Sequence, residues 1–269
     1  MLKNSCSENI SPGSHAGKSR EATAPGEMMV PDSIEIETDS RCNRSCPYCP
    51  ANKKDLDRGS GKMPDAVFEK IITGLADYEY SGIIRPHLFN EPLLDPRLPE
   101  FMRFITKSLP SVDIEILSNG DFLDVQTYNS LVDAGVKVIR VTQHGARPTA
   151  KMNELLEYLF KNVNIENRLR YRVFAEKAPL ANRGGLVEPE VVNVNPQAIC
   201  EWPMENMAIN FKGHVLLCCN DFMGQHIFGN AASENIIDIW NSEKFIATRR
   251  RLQQGDLFLE ICRKCQGLE

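Results

Sequence analysis

Apolar and polar residues alternate over residues 33–38 (SIEIET), the two-residue period of a strand. Behind Pro64, which fits a first helical position, Val67, Phe68, Ile71, Ile72 and Leu75 recur at helical spacing. Residues 82–89 predict a strand leading into a loop. Residues 98–109 predict a helix with Phe101, Phe104, Ile105 and Leu109 on one stripe. Residues 112–117 form the next expected strand, ending at the turn signal Ser118-Asn119-Gly120. A helix over 125–134 stops at Gly135, a strand covers 136–141, Thr149 caps a helix through 160, and 170–174 is a further strand. Strand, loop and helix thus repeat from residue 33 to about 176, as in a parallel sheet built by right-handed crossovers. Five or six such units are too few for an eight-unit barrel and enough for a partial one. Functional loops in such folds lie at the C-terminal ends of the strands.

The pattern changes after residue 186. Short strands are expected at 191–194, 207–211 and 214–218, with Lys212-Gly213 as a hairpin turn between the last two. A helix follows over 236–252, its basic end at Arg249, Arg250 and Arg251 suiting a helix C-terminus. Residues 1–30 show no periodicity and predict a disordered tail. The chain therefore divides into a tail (1–30), an α/β domain (31–186) and a small α+β domain with a β-hairpin (187–269).

Composition narrows the function. The 269 residues carry 31 Lys and Arg against 36 Asp and Glu, a net charge of -5, which disfavours bulk nucleic-acid binding. No apolar run approaches the ~20 residues that span a bilayer, and the N-terminus lacks the apolar core of a signal peptide. A cytoplasmic protein with no membrane partner is expected. Nine cysteines, an odd number without an export signal, argue against a disulfide scaffold. Their clustering argues for metal.

Cys42, Cys46 and Cys49 form C-x3-C-x2-C directly after the first strand. Three thiolates on one loop suit three irons of a [4Fe–4S] cube, the fourth iron left open. The alternative, structural zinc, takes four ligands, and no fourth lies nearby in sequence. With Tyr48 just before the last cysteine, the motif resembles the radical S-adenosylmethionine (SAM) superfamily. That resemblance implies a partial (β/α)6 barrel and SAM chelated to the open iron. It further implies reductive cleavage of SAM to a 5′-deoxyadenosyl radical that abstracts a substrate hydrogen, with the electron coming from an external flavodoxin- or ferredoxin-type donor. Tyr48 falls among the SAM contacts it implies. After the second strand the family usually carries Gly-Gly-Glu-Pro; this chain has Phe89-Asn90-Glu91-Pro92, matching at the last two positions. The resemblance thereby implies that Glu91, and with it Asn90, contacts the SAM amino group, and that Ser118 and Asn119 contact its ribose or carboxylate. A solvated loop acid and a plain turn are the respective alternatives.

The second set is Cys200, Cys218, Cys262 and Cys265, with Gly213, Gly229-Asn230 and Trp240-Asn241-Ser242 between them. It is similar to the twitch form of the SPASM extension found on radical SAM enzymes. The four cysteines then imply one closed auxiliary [4Fe–4S] cluster, two clusters in all. A zinc site would need the same four thiols. Cys219, beside a ligand on a strand, faces the other way; it is either a hydrogen-atom donor or a small buried apolar residue.

A closed auxiliary cluster suits electron transfer. The resemblance then implies oxidation or epimerisation at a carbinol carbon of a sugar or aminocyclitol. Modification of a ribosomally made peptide and a non-catalytic metal-binding protein are the alternatives. His144, at a strand end, is a candidate base. Arg183, in Asn182-Arg183-Gly184-Gly185, is a candidate substrate contact, the glycines allowing close approach to a ligand. His87, inside the second strand, reads as core.

Overall fold

The computed structural model describes residues 28–53, 55–162, 167–174, 182–188 and 199–268. Most of the tail and the strand expected at 191–194 lie outside these. Met29 and Val30, at the end of the stretch read as tail, pack against the core, and the Met29 backbone exchanges hydrogen bonds with the Asn241 side chain (3.0 and 2.8 Å).

Five strands alternate with four helices: β1 (Ser33–Ile36), α1 (Asp65–Ala76), β2 (Ile83–Arg85), α2 (Leu98–Ser108), β3 (Asp113–Ser118), α3 (Val125–Asp133), β4 (Val138–Gln143), α4 (Ala150–Lys161) and β5 (Leu169–Val173). All pair in parallel, in the sequential order expected of right-handed crossovers. Helix α2 shows why: Leu98, Phe101, Met102 and Ile105 recur at helical spacing and are buried, Phe104 packs beside them, and Glu100, Arg103 and Lys107 fall on the other side. Thr149 caps α4 as expected, its side chain accepting from the Met152 amide. Pro64 is the N-cap of α1 rather than its first residue.

The sixth parallel strand, β6 (Asn206–Ile209), does not follow β5 at its edge. It crosses back to pair with β1, Ser33 opposite Asn206 and Ile36 opposite Ile209. Strands β7 (His214–Leu216) and β8 (Ile227–Asn230) then continue antiparallel, giving one sheet in the order β5-β4-β3-β2-β1-β6-β7-β8. β1 is therefore hydrogen-bonded on both edges and buried along its whole length. Gly213, at φ +80° in the β6–β7 hairpin, occupies a conformation that side chains rarely adopt.

The helix expected over 236–252 is two. α6 (Ile236–Trp240) ends at Asn241, and extended Ser242 starts α7 (Glu243–Gln253) by accepting from the Phe245 amide (3.3 Å). The capping hydroxyl satisfies an amide that would otherwise be orphaned at the corner. Arg249 braces that corner instead of the helix end. Its guanidinium lies 4.0 Å from the Trp240 ring centroid and donates to the Trp240 carbonyl (2.6 Å). A short helix α5 (Trp202–Glu205) precedes β6, and α8 (Glu260–Cys265) closes the chain. No helix among the described residues is long and apolar enough to cross a membrane.

Alternation gives the sheet two chemically different faces. Ile34, Ile36, Ile84, Ile114, Ile116, Ile139 and Val141 join the helices in one apolar core. The intervening Glu35, Arg85, Glu115 and Arg140 face the other way, with Arg85 (3.0 Å) and Arg140 (2.9 Å) both paired to Glu115.

Candidate active site

The loop after β1 carries the first three thiols and is braced from several sides. Buried Asp39 accepts from the Arg41 amide (3.0 Å) and guanidinium (2.6 Å). Arg44 grips Asp121, in the loop after β3, through two hydrogen bonds of 2.7 and 2.5 Å, and Asn43 adds a third (2.7 Å). Burial pushes the Asp121 carboxyl up, but Arg44 and Asn43 outweigh it and hold it below the usual range. Asn119 in turn donates to the Asn43 side chain (2.9 Å). Two strand ends are thereby fixed to each other, as pre-organised binding requires.

Cys42, Cys46 and Cys49 line a cavity of about 710 Å³ at these strand ends. The Cys42 thiol is pushed up by burial and then by the charges of Glu91, Cys49 and Cys46 nearby. Tyr48 stacks on Phe174 (4.6 Å between centroids), and its hydroxyl meets His144 Nδ1 at 2.5 Å. Burial foremost, then Cys46, raise the Tyr48 phenol, so it stays a neutral hydroxyl. His144, lowered by burial and by Arg44 and Arg172, is neutral too. One of its nitrogens is already engaged with Tyr48.

Glu91 is 2% exposed and held by three hydrogen bonds. Its Oε1 accepts from Ser118 Oγ (2.7 Å) and the Leu93 amide (3.1 Å), its Oε2 from the Asn119 amide (2.8 Å). It ties the loop after β2 to the end of β3. Burial raises its pKa against these bonds. Each oxygen keeps lone-pair capacity for a further donor. Beside it, buried Asn90 Nδ2 has no partner among the described residues, while Asn90 lines the cavity. An orphaned donor beside three thiols fits a ligand with acceptor atoms. All the residues expected to contact SAM thus gather here.

The second thiols come from separate places: Cys200 before α5, Cys218 after β7, and Cys262 and Cys265 on α8. Cys262 is pushed up to about 12 by burial and by the neighbouring Cys200 and Cys265. Asn220 donates from its backbone to Cys218 Sγ (3.4 Å) and from its side chain to Cys265 Sγ (3.2 Å). Amide donors to sulfur are what cluster-ligating thiolates take, so this set fits a cluster as well. Among the described residues no three His, Cys, Asp or Glu side chains converge as a single-ion site. Cys219 is 8% exposed, packs with Trp202, Ala208 and Leu216, and also lines the cavity.

The glycines beside Arg183 serve packing. A side chain on Gly184 would collide with Ile261 (2.7 Å), and one on Gly185 with Lys264 (2.9 Å). Asn182 donates to the Lys264 carbonyl (2.6 Å). The turn docks on α8, and Arg183 lines the cavity.

Among the cavity residues that the sequence reading did not assign to the site are His87, Glu35 and Asn220. His87, expected in the core, lines the cavity instead, and burial drives its pKa down to about 3. Glu35, raised by burial to about 7 against Arg85 and Arg183, lies 4.0 Å from it. Asn220 lines the same cavity. The alternation of SIEIET marked Glu35 as opposite in facing to Ile34, but a strand alone does not say which face is empty. Asn220 belongs to the Cys218-Cys219-Asn220-Asp221 stretch of the second motif, but nothing local said that it would also line the cavity.

The model of an iron–sulfur cluster-binding domain, SPASM, matches residues 200–266. The SAM-dependent 2-deoxy-scyllo-inosamine dehydrogenase of Niallia circulans is 29% identical over 238 residues, 87% of this chain and 92% of that protein. The crystal structure of BtrN in complex with AdoMet and 2-DOIA superposes with a TM-score of 0.78 at 29% identity, over 89% of this chain and 94% of that one. BtrN in an open conformation gives 0.69 at 26% identity, over 88% and 92%. The radical SAM superfamily model matches residues 36–170, half of the chain and every strand from the end of β1 to the start of β5. With the thiol loop and cavity at the ends of those strands, this chain belongs to the radical SAM superfamily, enzymes that use SAM and [4Fe–4S] clusters.

Proposed function

We propose that the chain is a dehydrogenase that oxidises a carbinol carbon of a small polyhydroxylated ring. In this reading Cys42, Cys46 and Cys49 hold the SAM-binding cluster, and Cys200, Cys218, Cys262 and Cys265 hold the auxiliary one. The observation that carries it is Asn220, which lines the cavity of the first thiols while donating to two thiols of the second set. An electron leaving a substrate in that cavity has one residue to cross. The likeness to the inosamine dehydrogenase over nearly its whole length supports the same substrate size.

Converting a carbinol to a carbonyl removes two hydrogens with their electrons. When bound, SAM on its cluster supplies hydrogen-atom abstraction and the auxiliary cluster accepts the remaining electron, which leaves the hydroxyl proton to this chain. Glu35 takes it. A carboxyl with a pKa of about 7, in the cavity wall, is matched to that task. His144 is a positioning residue: it holds Tyr48, which stacks on Phe174, and its own ring lies tilted against Phe174. Glu91, fixed by three hydrogen bonds, presents its carboxylate to the SAM ammonium, and Asn90 Nδ2 is the donor for the SAM carboxylate.

Anaerobically reconstituted, reduced protein is expected to turn SAM and an aminocyclitol or cyclitol into equal amounts of 5′-deoxyadenosine and a ketone lighter by two hydrogens. SAM cleavage with an unoxidised, stereoinverted product would replace this reading with epimerisation. Cys219→Ala would then stop product while sparing SAM cleavage. Activity should rise with pH through about 7 as Glu35 loses its proton. Glu35→Gln should lose that limb and about 10²–10⁴ in rate.

A further inference from the structure

We propose that His87 and Glu35 share the oxygen of the carbinol being oxidised, Glu35 accepting its proton and His87 Nε2–H holding the oxygen as it becomes a carbonyl. This rests on the reading that the cavity oxidises a hydroxylated ring with Glu35 as base.

The two side chains come from neighbouring strands. Glu35 stands on β1 opposite Arg85 of β2, and His87 lies two residues further on, past the C-terminal end of that strand. Arg85 is committed elsewhere: its Nε donates to Glu115 (3.0 Å) and its Nη1 to Ser33 (2.8 Å). Glu35 Oε1 and His87 Nε2 lie 4.0 Å apart, and both residues line the cavity. That separation is too long for a hydrogen bond and suits one shared atom. An oxygen about 2.7 Å from the carboxylate and about 2.9 Å from the nitrogen sees the two at about 90°, an angle that a hydroxyl accommodates.

The ring can serve in only one way. Nδ1 is buried with no partner among the described residues. A hydrogen there would meet no acceptor, whereas one on Nε2 meets a carboxylate at the cavity wall. The neutral ring therefore carries its hydrogen on Nε2. It stays neutral because burial, and after it the charge of Arg85, drive its pKa down to about 3. A charged imidazolium would instead pair with Glu35 and weaken it as a base. Burial raises Glu35 to about 7 against Arg85 and Arg183, so one base and one neutral donor face a single oxygen.

The balance is then complete. The C–H bond yields a hydrogen atom to the radical derived from SAM, the O–H bond yields its proton to Glu35, and the electron left on the substrate passes to the auxiliary cluster. The carbon–oxygen bond becomes double. Negative charge gathers on the oxygen as its proton leaves, and a preorganised donor is most effective at that moment.

The test uses the full chain, reconstituted anaerobically with its clusters and SAM, and two alcohols, 2-deoxy-scyllo-inosamine and scyllo-inositol. His87→Phe keeps a flat ring and removes the donor, while His87→Gln returns an N–H near the place of Nε2. Ketone formation should fall about 10²–10³-fold in the Phe variant and recover by about tenfold or more in the Gln variant. The rise of activity through about pH 7 should persist in both, because the titrating group is Glu35. The SAM-dependent change in the EPR signal should persist as well, which separates a lost donor from a damaged site. One measurement needs no variant: the infrared carbonyl band of scyllo-inosose, added to unreduced protein, should move below its position in water. Full activity in His87→Phe overturns the proposal. So does a Gln variant no better than Phe, a pH limb that vanishes with His87, or a carbonyl band left at or above its position in water. Ketone formation by the unmodified protein leaves the dehydrogenase reading intact in each of those cases. No ketone from either alcohol overturns both.

Discussion

The two thiol sets solve opposite problems with the same atom. The first places three cysteines within eight residues of one loop, and that loop opens onto a cavity of about 710 Å³. Its rigidity comes from outside the thiols, through Arg41–Asp39 and the grip of Arg44 and Asn43 on Asp121. The second draws four cysteines from three places along 66 residues and encloses them with α8, the Asn182 turn and the amides of Asn220. One site is braced so that it can stay open; the other is closed by the packing that gathers it. An iron left for a ligand needs the former, and an iron used only for its electron needs the latter.

The largest effect that separates the two comes from removing one thiol from each. Cys49→Ala should reduce 5′-deoxyadenosine to background. Cys262→Ala should leave SAM cleavage standing but stop ketone formation, as read by chromatography of both products. Equal loss of cleavage in the two variants would break the distinction. Iron analysis gives the next largest contrast: about eight irons per chain, two cubes of four, falling to about four in either variant. Only the Cys262→Ala protein should keep an EPR signal that shifts with SAM. Asn220→Ala is a smaller perturbation. Loss of an amide donor to Cys265 should lower the auxiliary potential by tens of millivolts and leave the first cluster's potential unchanged, measured by redox titration. Smallest is Ser242→Ala, which removes the cap of α7 and should cost about 1 kcal/mol in denaturant unfolding without changing either cluster's spectrum.

What the sequence disclosed follows from how far apart the cooperating residues lie. Cys42, Cys46 and Cys49 share one loop, so their spacing alone said that they lie together. The helical stripes of α1 and α2 and the cap at Thr149 are likewise local, and each appears where its period placed it. The pairing of β6 with β1 is not local. It joins residues about 170 apart, and NMAI carries no mark that says which edge it will take. Ser242 did carry a mark, a hydroxyl three residues before the amide it caps. The apolar run on both sides of it masked that signal. His87 and Glu35 were misjudged or passed over because their surroundings depend on which face of the sheet the helices cover. Once Ile34 and Ile84 are known to face α1 and α2, the charged residues between them can only face the cavity.

The pairing of β6 with β1 also determines what the protein tolerates losing. A chain ending before Asn206 would strip β1 of one neighbour and leave its backbone amides and carbonyls bare beside Ile34 and Ile36. An apolar edge of that kind recruits strands from other molecules. The region bearing the second thiols therefore acts as a permanent seal on the sheet, and a shortened version of this protein would be recovered as aggregate before its chemistry could be assayed.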